Sequence, residues 1–462
     1  MHYLVVFFFA FLFRFVPGFA GITPYGMAIL GTFIAAIYGW STIGMIWTSF
    51  MCLTGIALTI GINQMVASGF NATIIAMIFI FPFVYVLEDT GTTKWVINKI
   101  LSSKLTKGKP WMTVLLIFFA SYIGGILSNI VMTILLLDMF RTLFKQLGVA
   151  PHTKLPTFMT IGLLIAILMG QLGIPIMGMG LMLLATYNSM FPDPLNFATY
   201  MLYFIPMGFI IIGFFTVLMK FVFRIDVSPL KNYDPEALGE AKPATKDQKI
   251  IMGFFVFFMI SILLSSVRLG AVSTFFAKFG LLGITFIILC VLMLLKREDG
   301  TPFLDFRKAA TAISWDPVLM VSFILVISTY MNTAETGISQ AMMMIIQPFM
   351  SMNPLLFIII VLFIATFLTN LMNNLIIVVL FMPVLMQYAM AIGANATQYV
   401  FLLWIFAHFS ICTPAASTPA GIVFSAQDLV RTGDLMKYGA IVVVLLFLFT
   451  AVVGLVYANI IF

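Results

Sequence analysis

Two apolar runs 245 residues apart are interrupted at the same point by the same kind of residue. The first is Tyr122-Ile-Gly-Gly-Ile-Leu-Ser-Asn-Ile-Val-Met-Thr133, the second Phe367-Leu-Thr-Asn-Leu-Met-Asn-Asn-Leu-Ile-Ile-Val378. A shift of 245 places Asn129 on Asn374 and Gly148 on Gly393, and within one residue Thr90-Gly91 on Thr336-Gly337. Apolar runs of this kind belong in a bilayer, where irregular backbone is tolerated only if protein or a water-filled cavity covers it. Two such breaks at matching positions point to internal repeats that meet at a site, the plan of a secondary transporter.

Composition agrees: 62% of the 462 residues are hydrophobic and 8% are charged. The expected fold is all-α and polytopic, with about eleven transmembrane helices plus two re-entrant hairpins in two inverted-topology repeats. Crossings fall at about 3–20, 22–40, 43–63, 70–88, 155–187 and 197–222 in the first half. In the second half they fall at about 250–266, 277–295, 316–333, 397–424 and 436–461. The hairpins occupy 111–147 and 353–390, each read as two half-length helices meeting at a tip. Thr92 to Leu105 is amphipathic and predicts a helix lying on the membrane surface, and a shorter one follows Glu335-Thr-Gly337. The helices at 155–187 and 397–424 break at Gly170–Pro175 and Cys412–Pro419. His2 to Val16 is read as the first crossing rather than a signal peptide, because its start lacks a basic residue and no small-residue cleavage site follows.

These elements divide into a first-repeat scaffold at 1–109, a first-repeat transport unit at 110–222 and a cytoplasmic linker at 223–249. A second scaffold part at 250–350 and a second transport part at 351–462 complete the plan. With the N-terminus inside, 20 of the 23 basic residues lie on the cytoplasmic side and only Arg14, Arg268 and Lys278 lie outside. The positive-inside bias therefore selects a multi-pass protein of the cell (plasma) membrane with a cytoplasmic N-terminus. It also accounts for the net charge of +7 without a nucleic-acid partner. The three cysteines lie in apolar segments and suggest neither a disulfide framework nor a metal cluster.

Four places converge in such a plan: two hairpin tips and two helix breaks. Helix N-termini there offer N–H groups to an anion, and C-terminal carbonyls offer oxygens to a cation. Ser128 and Asn129 can supply oxygen to a cation, and the Asn129 amide can donate to a carboxylate. Thr369, Asn370, Asn373 and Asn374 offer the same on the other side. A membrane asparagine also commonly makes a plain interhelical hydrogen bond worth about 1 kcal/mol. Ser417 and Thr418 lie between Pro414 and Pro419, which leave carbonyls without donors, or merely kink the helix. The matching stretch of the other broken helix, Gly173 to Gly178, has no hydroxyl and offers backbone alone. Asp138 lies about 13 Å of helix from the first tip and close to Arg141, so an ion pair at the hairpin base is expected. His408 is read as a hydrogen-bonded structural residue, and Glu88 and Glu335 as charges at the starts of the surface helices. No nucleotide loop, metal-ligand spacing or nucleophile–base pair is present, so an enzyme is not expected and no cofactor is implied.

The arrangement resembles the divalent-anion:sodium symporter family, carriers of dicarboxylates, citrate and sulfate within the ion-transporter superfamily. The resemblance covers nearly the whole chain: a surface helix after a Thr-Gly, a hairpin and a broken helix, twice over. It implies tips carrying Ser-Asn-Thr, matched here by Ser128-Asn129-Ile130 and Asn373-Asn374-Leu375, and a run matched by Pro414-Ala-Ala-Ser-Thr-Pro419 before Ile422-Val-Phe424. It further implies sodium as coupling ion at Ser128, Asn129, Thr369 and Asn374. Substrate would bind at Asn129, Asn374, Ser417 and Thr418, in a homodimer working as an elevator. Both tip threonines are replaced, by Ile130 and Leu375, and Gly124 and Met177 lack side-chain oxygens near the first sodium position. A partly apolar anion, a monocarboxylate or a small inorganic anion follows. A cation:proton antiporter, or an anion efflux or exchange carrier of the same architecture, is the second reading; a membrane-embedded enzyme or accessory subunit is the third.

Overall fold

The computed structural model describes residues 1–175, 178–191, 195, 197–233, 243–266, 270–331 and 333–462. Met177, Arg268 and most of the polar linker at 234–242 lie outside the described residues. Among the described residues the chain is helical, with no strand beyond an isolated bridge at Lys296–Pro302. The first helices are α1 (His2–Phe15), α2 (Pro24–Thr42), α3 (Met45–Ile60) and α4 (Ile62–Gly69). Then come α5 (Ala72–Asp89), α6 (Thr92–Leu101), α7 (Pro110–Leu127), α8 (Asn129–Gln146), α9 (Lys154–Gly173), α10 (Gly178–Met190) and α11 (Phe197–Val222). Two long helices follow, α12 (Lys246–Ser266) and α13 (Ala271–Leu294), then α14 (Phe306–Ala312). The last seven are α15 (Trp315–Met331), α16 (Ile338–Phe349), α17 (Pro354–Leu368), α18 (Asn374–Ala391), α19 (Ala396–Ala407), α20 (Thr418–Ser425) and α21 (Thr432–Ile461). Among the described residues eight helices are long and apolar enough to cross a membrane, or ten if each bent pair is one span.

The repeats are α5–α11 and α15–α21: a long helix, a short helix, two hairpin arms, a two-piece helix and a closing long helix. The match runs to the residue. Helix α8 starts at Asn129 and ends at Gln146, and α18 starts at Asn374 and ends at Ala391, both ends 245 apart. Gly148 and Gly393 follow these helices with φ of 64° and 67°, and Gly91 and Gly337 precede the short helices with φ of 66° and 71°. Those left-handed turns need glycine, which is why the glycines recur with the repeat.

Each hairpin doubles back at its break. In the second, Phe357 near the start of α17 stacks on Tyr388 near the end of α18, ring centres 3.9 Å apart. In the first, Gly124 faces Met132 so closely that an added Cβ would lie 3.0 Å from its side chain. The arms are longer than the expected half-helices: α7, α8 and α18 have 18 residues each and α17 has 15. Such arms run about 27 Å at helical rise, close to the apolar thickness of a bilayer.

Helix α9 lies at the centre, with every residue from Leu155 to Gly173 buried. A helix apolar all round is what that position requires. It crosses α7 at backbone contact: Gly125 sits over Ile167 and Gly170 over the Tyr122 carbonyl. Small residues at the crossing allow this approach, and van der Waals packing holds it where lipid offers no hydrophobic drive. The repeats also exchange contacts, α20 packing against α8 and α9, and α10 against α18. Away from this group, α15 packs on α2, α3 and α4, and α13 on α5.

Candidate functional site

The first tip is a single extended residue, Ser128 (φ −164°, ψ 101°), between α7 and α8. The Ser128 side chain makes no capping bond, and its carbonyl accepts from Met132 N–H at 3.0 Å. The start of α8 therefore leaves the N–H groups of Asn129, Ile130 and Val131 without an intrahelical carbonyl. These groups and the positive end of an 18-residue helix face a cavity of about 320 Å³. Ser128, Asn129 and Ile130 line it, and neither the Ser128 hydroxyl nor the Asn129 amide has a hydrogen-bond partner among the described residues.

Behind the tip, the α9 break adds Gln171. It is 8% exposed, lines the same cavity, and its amide nitrogen has no partner among the described residues. The sequence of Gly173 to Gly178 offers backbone alone, so Gln171 adds a side chain not expected at this break. An amide between Gly170 and Gly173 was the available signal, since a glutamine inside an apolar helix needs a use. The opposite wall is one face of α5: Met77, Ile80, Phe81, Val84, Tyr85 and Glu88, three or four residues apart. Glu88 thus belongs to the last turn of α5 and to the cavity wall. It does not begin the surface helix, whose N-cap is Gly91.

The second tip is built differently. Asn373 caps α18, its side-chain oxygen accepting from Leu375 N–H at 2.9 Å. Asn370 is tied into the α19–α20 break: its oxygen accepts from Ile411 N–H at 3.0 Å and Cys412 N–H at 2.8 Å. Its nitrogen donates to the carbonyls of Thr366 at 2.8 Å and Phe409 at 3.1 Å. The Thr369 hydroxyl donates to the Ala407 carbonyl at 2.6 Å. Ser417 caps α20 by accepting from Ala420 N–H at 3.3 Å and donates to the Ser410 carbonyl at 3.1 Å. Thr418 is exposed and lines a second, more open cavity of about 510 Å³ with Asn373 and Ser417.

The expected residues are therefore not gathered in one cavity. Ser128 and Asn129 line the first, and Ser417 and Thr418 line the second. Thr369 and Asn374 are buried and line neither, and Asn373 takes the place expected for Asn374. The tip substitutions differ too: Ile130 is 45% exposed in the first cavity, whereas Leu375 is 2% exposed in the core. Asp138 pairs with Arg141 at 2.6 Å, and Arg141 also forks onto Asp428 through bonds of 2.6 and 2.9 Å. That clamp ties the base of the first hairpin to the loop after α20. His408 lies in the α19–α20 break with Nδ1 on the Trp404 carbonyl at 2.7 Å.

Paired broken helices and paired hairpins around buried amides define a secondary transporter of the membrane. A family profile described as "Citrate transporter", CitMHS, matches residues 27–408, and the chain belongs to that family. Na(+)/dicarboxylate cotransporter 3 from Rattus norvegicus and its Mus musculus counterpart are each 23% identical over 145 residues. Those matches cover 30% of this chain and 24% of each relative. Across 91% of the chain and 90% of the other, the fold is similar to the Alcanivorax borkumensis YdaH transporter, whose crystal structure is described as having an unusual topology (TM-score 0.50, 12% identity).

Proposed function

We propose that the protein takes a small carboxylate anion into the cell, driven by sodium, with the first cavity as its substrate site. The observation that carries this is the uncapped start of α8, where three backbone N–H groups and the Asn129 amide converge on one cavity. An anion there gains hydrogen bonds from groups otherwise unpartnered, in surroundings that make each stronger than in water. The second cavity, with Thr418 and Asn373, is its counterpart in the other repeat. Sodium binds at the tips, among the carbonyls and the oxygens of Ser128, Asn129, Thr369 and Asn374. The citrate profile and the stretch similar to dicarboxylate cotransporters support a carboxylate substrate.

The hairpins with α9–α11 and α19–α21 form the moving unit of an elevator, and α1–α5 with α12–α15 form the scaffold of a homodimer. The membrane is the plasma membrane, and the N-terminus lies inside. Purified protein in liposomes tests the reading: an inward sodium gradient should drive accumulation of radiolabelled citrate, succinate or lactate. Accumulation that ignores sodium but follows an imposed proton gradient would replace the coupling ion, and no accumulation of any of the three would remove the reading.

A further inference from the structure

Among the described residues, the cavity proposed to hold the anion has one charged side chain in its wall, the carboxylate of Glu88. Glu88 is half-buried, and its carboxylate has no ion pair or hydrogen bond among the described residues. The neighbouring groups do not neutralise it. Tyr85, one turn back on the same face, donates its hydroxyl to Asp89 at 3.2 Å. Asp89 in turn takes Arg297 as its ion-pair partner. Among the described residues no lysine or arginine lines the cavity. The positive end of α8 and the Glu88 carboxylate thus bound one space. The wall between them is apolar: Met77, Ile80, Phe81 and Val84 on α5, and Ile130 beside the tip.

We propose that Glu88 weakens binding of anions that carry a second free carboxylate into its part of the cavity, favouring ligands whose far end is uncharged. This rests on the anion-carrier reading of the same cavity. One carboxylate of the ligand sits at the start of α8. A second carboxylate reaching across the cavity meets a like charge and, among the described lining residues, no cation. A hydroxyl or a protonated carboxyl in that place donates to Glu88 and satisfies both groups. Exclusion by an unpaired like charge is a common route to selectivity. Two like charges about 10 Å apart, in a medium midway between protein and water, change binding about fourfold per unit charge.

The test uses the full chain in liposomes with a sodium gradient, and measures uptake of radiolabelled succinate and lactate at one pH. Glu88→Gln should raise the succinate-to-lactate uptake ratio about fourfold. Ala312→Glu adds a carboxylate at an exposed position on the same cavity and should lower the ratio by a similar factor, whether or not Glu88→Gln folds. Ratios within twofold of the unaltered protein in both variants, with uptake intact, would overturn the proposal alone. Loss of all uptake in folded Glu88→Gln with an altered sodium dependence would make Glu88 a cation ligand and also overturn it. No uptake of succinate, lactate or citrate by the unaltered protein would remove the carrier reading itself, and with it this proposal.

Discussion

Replacing Asn370 by alanine should loosen the second tip from the break it is fastened to. The amide makes four bonds, two accepted from Ile411 and Cys412 N–H and two donated to Thr366 and Phe409 carbonyls. Asn370, Ile411 and Phe409 are 7%, 3% and 1% exposed and Cys412 is part-buried, so water replaces little of what is lost. Each stranded buried amide N–H costs about 1–3 kcal/mol. The buried Ile411 N–H and the part-buried Cys412 N–H together put the loss near 3 kcal/mol, on the order of a hundredfold in the folding equilibrium. The Thr369 bond to Ala407 and the Thr413 bond to the Asn370 carbonyl survive, so the region weakens without collapsing. Asn373→Ala is the control, because it removes one helix cap at a part-exposed position and should cost about 1 kcal/mol. Thermal inactivation in detergent, followed by tryptophan fluorescence, compares the two. Asn370→Ala should inactivate at a clearly lower temperature than Asn373→Ala. Equal shifts, or none for Asn370→Ala, would refute the reasoning that this amide holds the break.

Ile130→Thr, which adds a hydroxyl in the first cavity, should strengthen competition by succinate about fivefold, read by radiolabelled uptake. Leu375→Thr puts the same hydroxyl in the core and should cost about 2 kcal/mol or more of stability without changing selectivity. Gly125→Ala should fail to yield folded protein by size-exclusion chromatography, because its Cβ would lie 2.2 Å from the Ile167 carbonyl oxygen at a backbone crossing. The hydrogen bond from Arg141 holds the Asp428 carboxyl below its usual range. Its contribution is full above the unfolded carboxyl value of about 3.9 and is lost as pH falls through the lower folded value. Both side chains are partly exposed, so Asp428→Asn should lower stability by about 1 kcal/mol or less at neutral pH. The difference between the two proteins should close in thermal scans well below pH ~4.

Much of the fold was legible because it rests on local chemistry repeated twice. The offset that pairs Asn129 with Asn374 pairs both ends of α8 and α18, and the recurring glycines are turns with positive φ. The Asp138–Arg141 pair was legible too, since three residues along a helix share a face. Its third member, Asp428, was not, being 287 residues from Arg141 and brought there by packing of α20 on α8. The placement of the candidate residues was legible only in part, for the same reason. Composition marked Ser128 and Asn129, but side-chain direction separates Asn373, which caps α18 beside a cavity, from the buried Asn374. Glu88 is one residue from the polar end of α5, and only the α5 face that carries it shows it as part of the cavity wall. Ile130 and Leu375 share a motif position, yet one faces the cavity and the other the core, because the repeats pack against different neighbours.

The central claim is that an anion binds at the start of α8, and protection of that start from chemical modification tests it most directly. With Cys290 and Cys412 replaced by serine, Ile130→Cys places one accessible thiol at the tip, the remaining Cys52 being buried. The rate of maleimide labelling is measured in sodium buffer with and without millimolar citrate, succinate or lactate. At least one of these anions should slow labelling severalfold, and more in sodium than in potassium. Labelling at the same rate with every anion and either cation would contradict the assignment of this cavity as the substrate site.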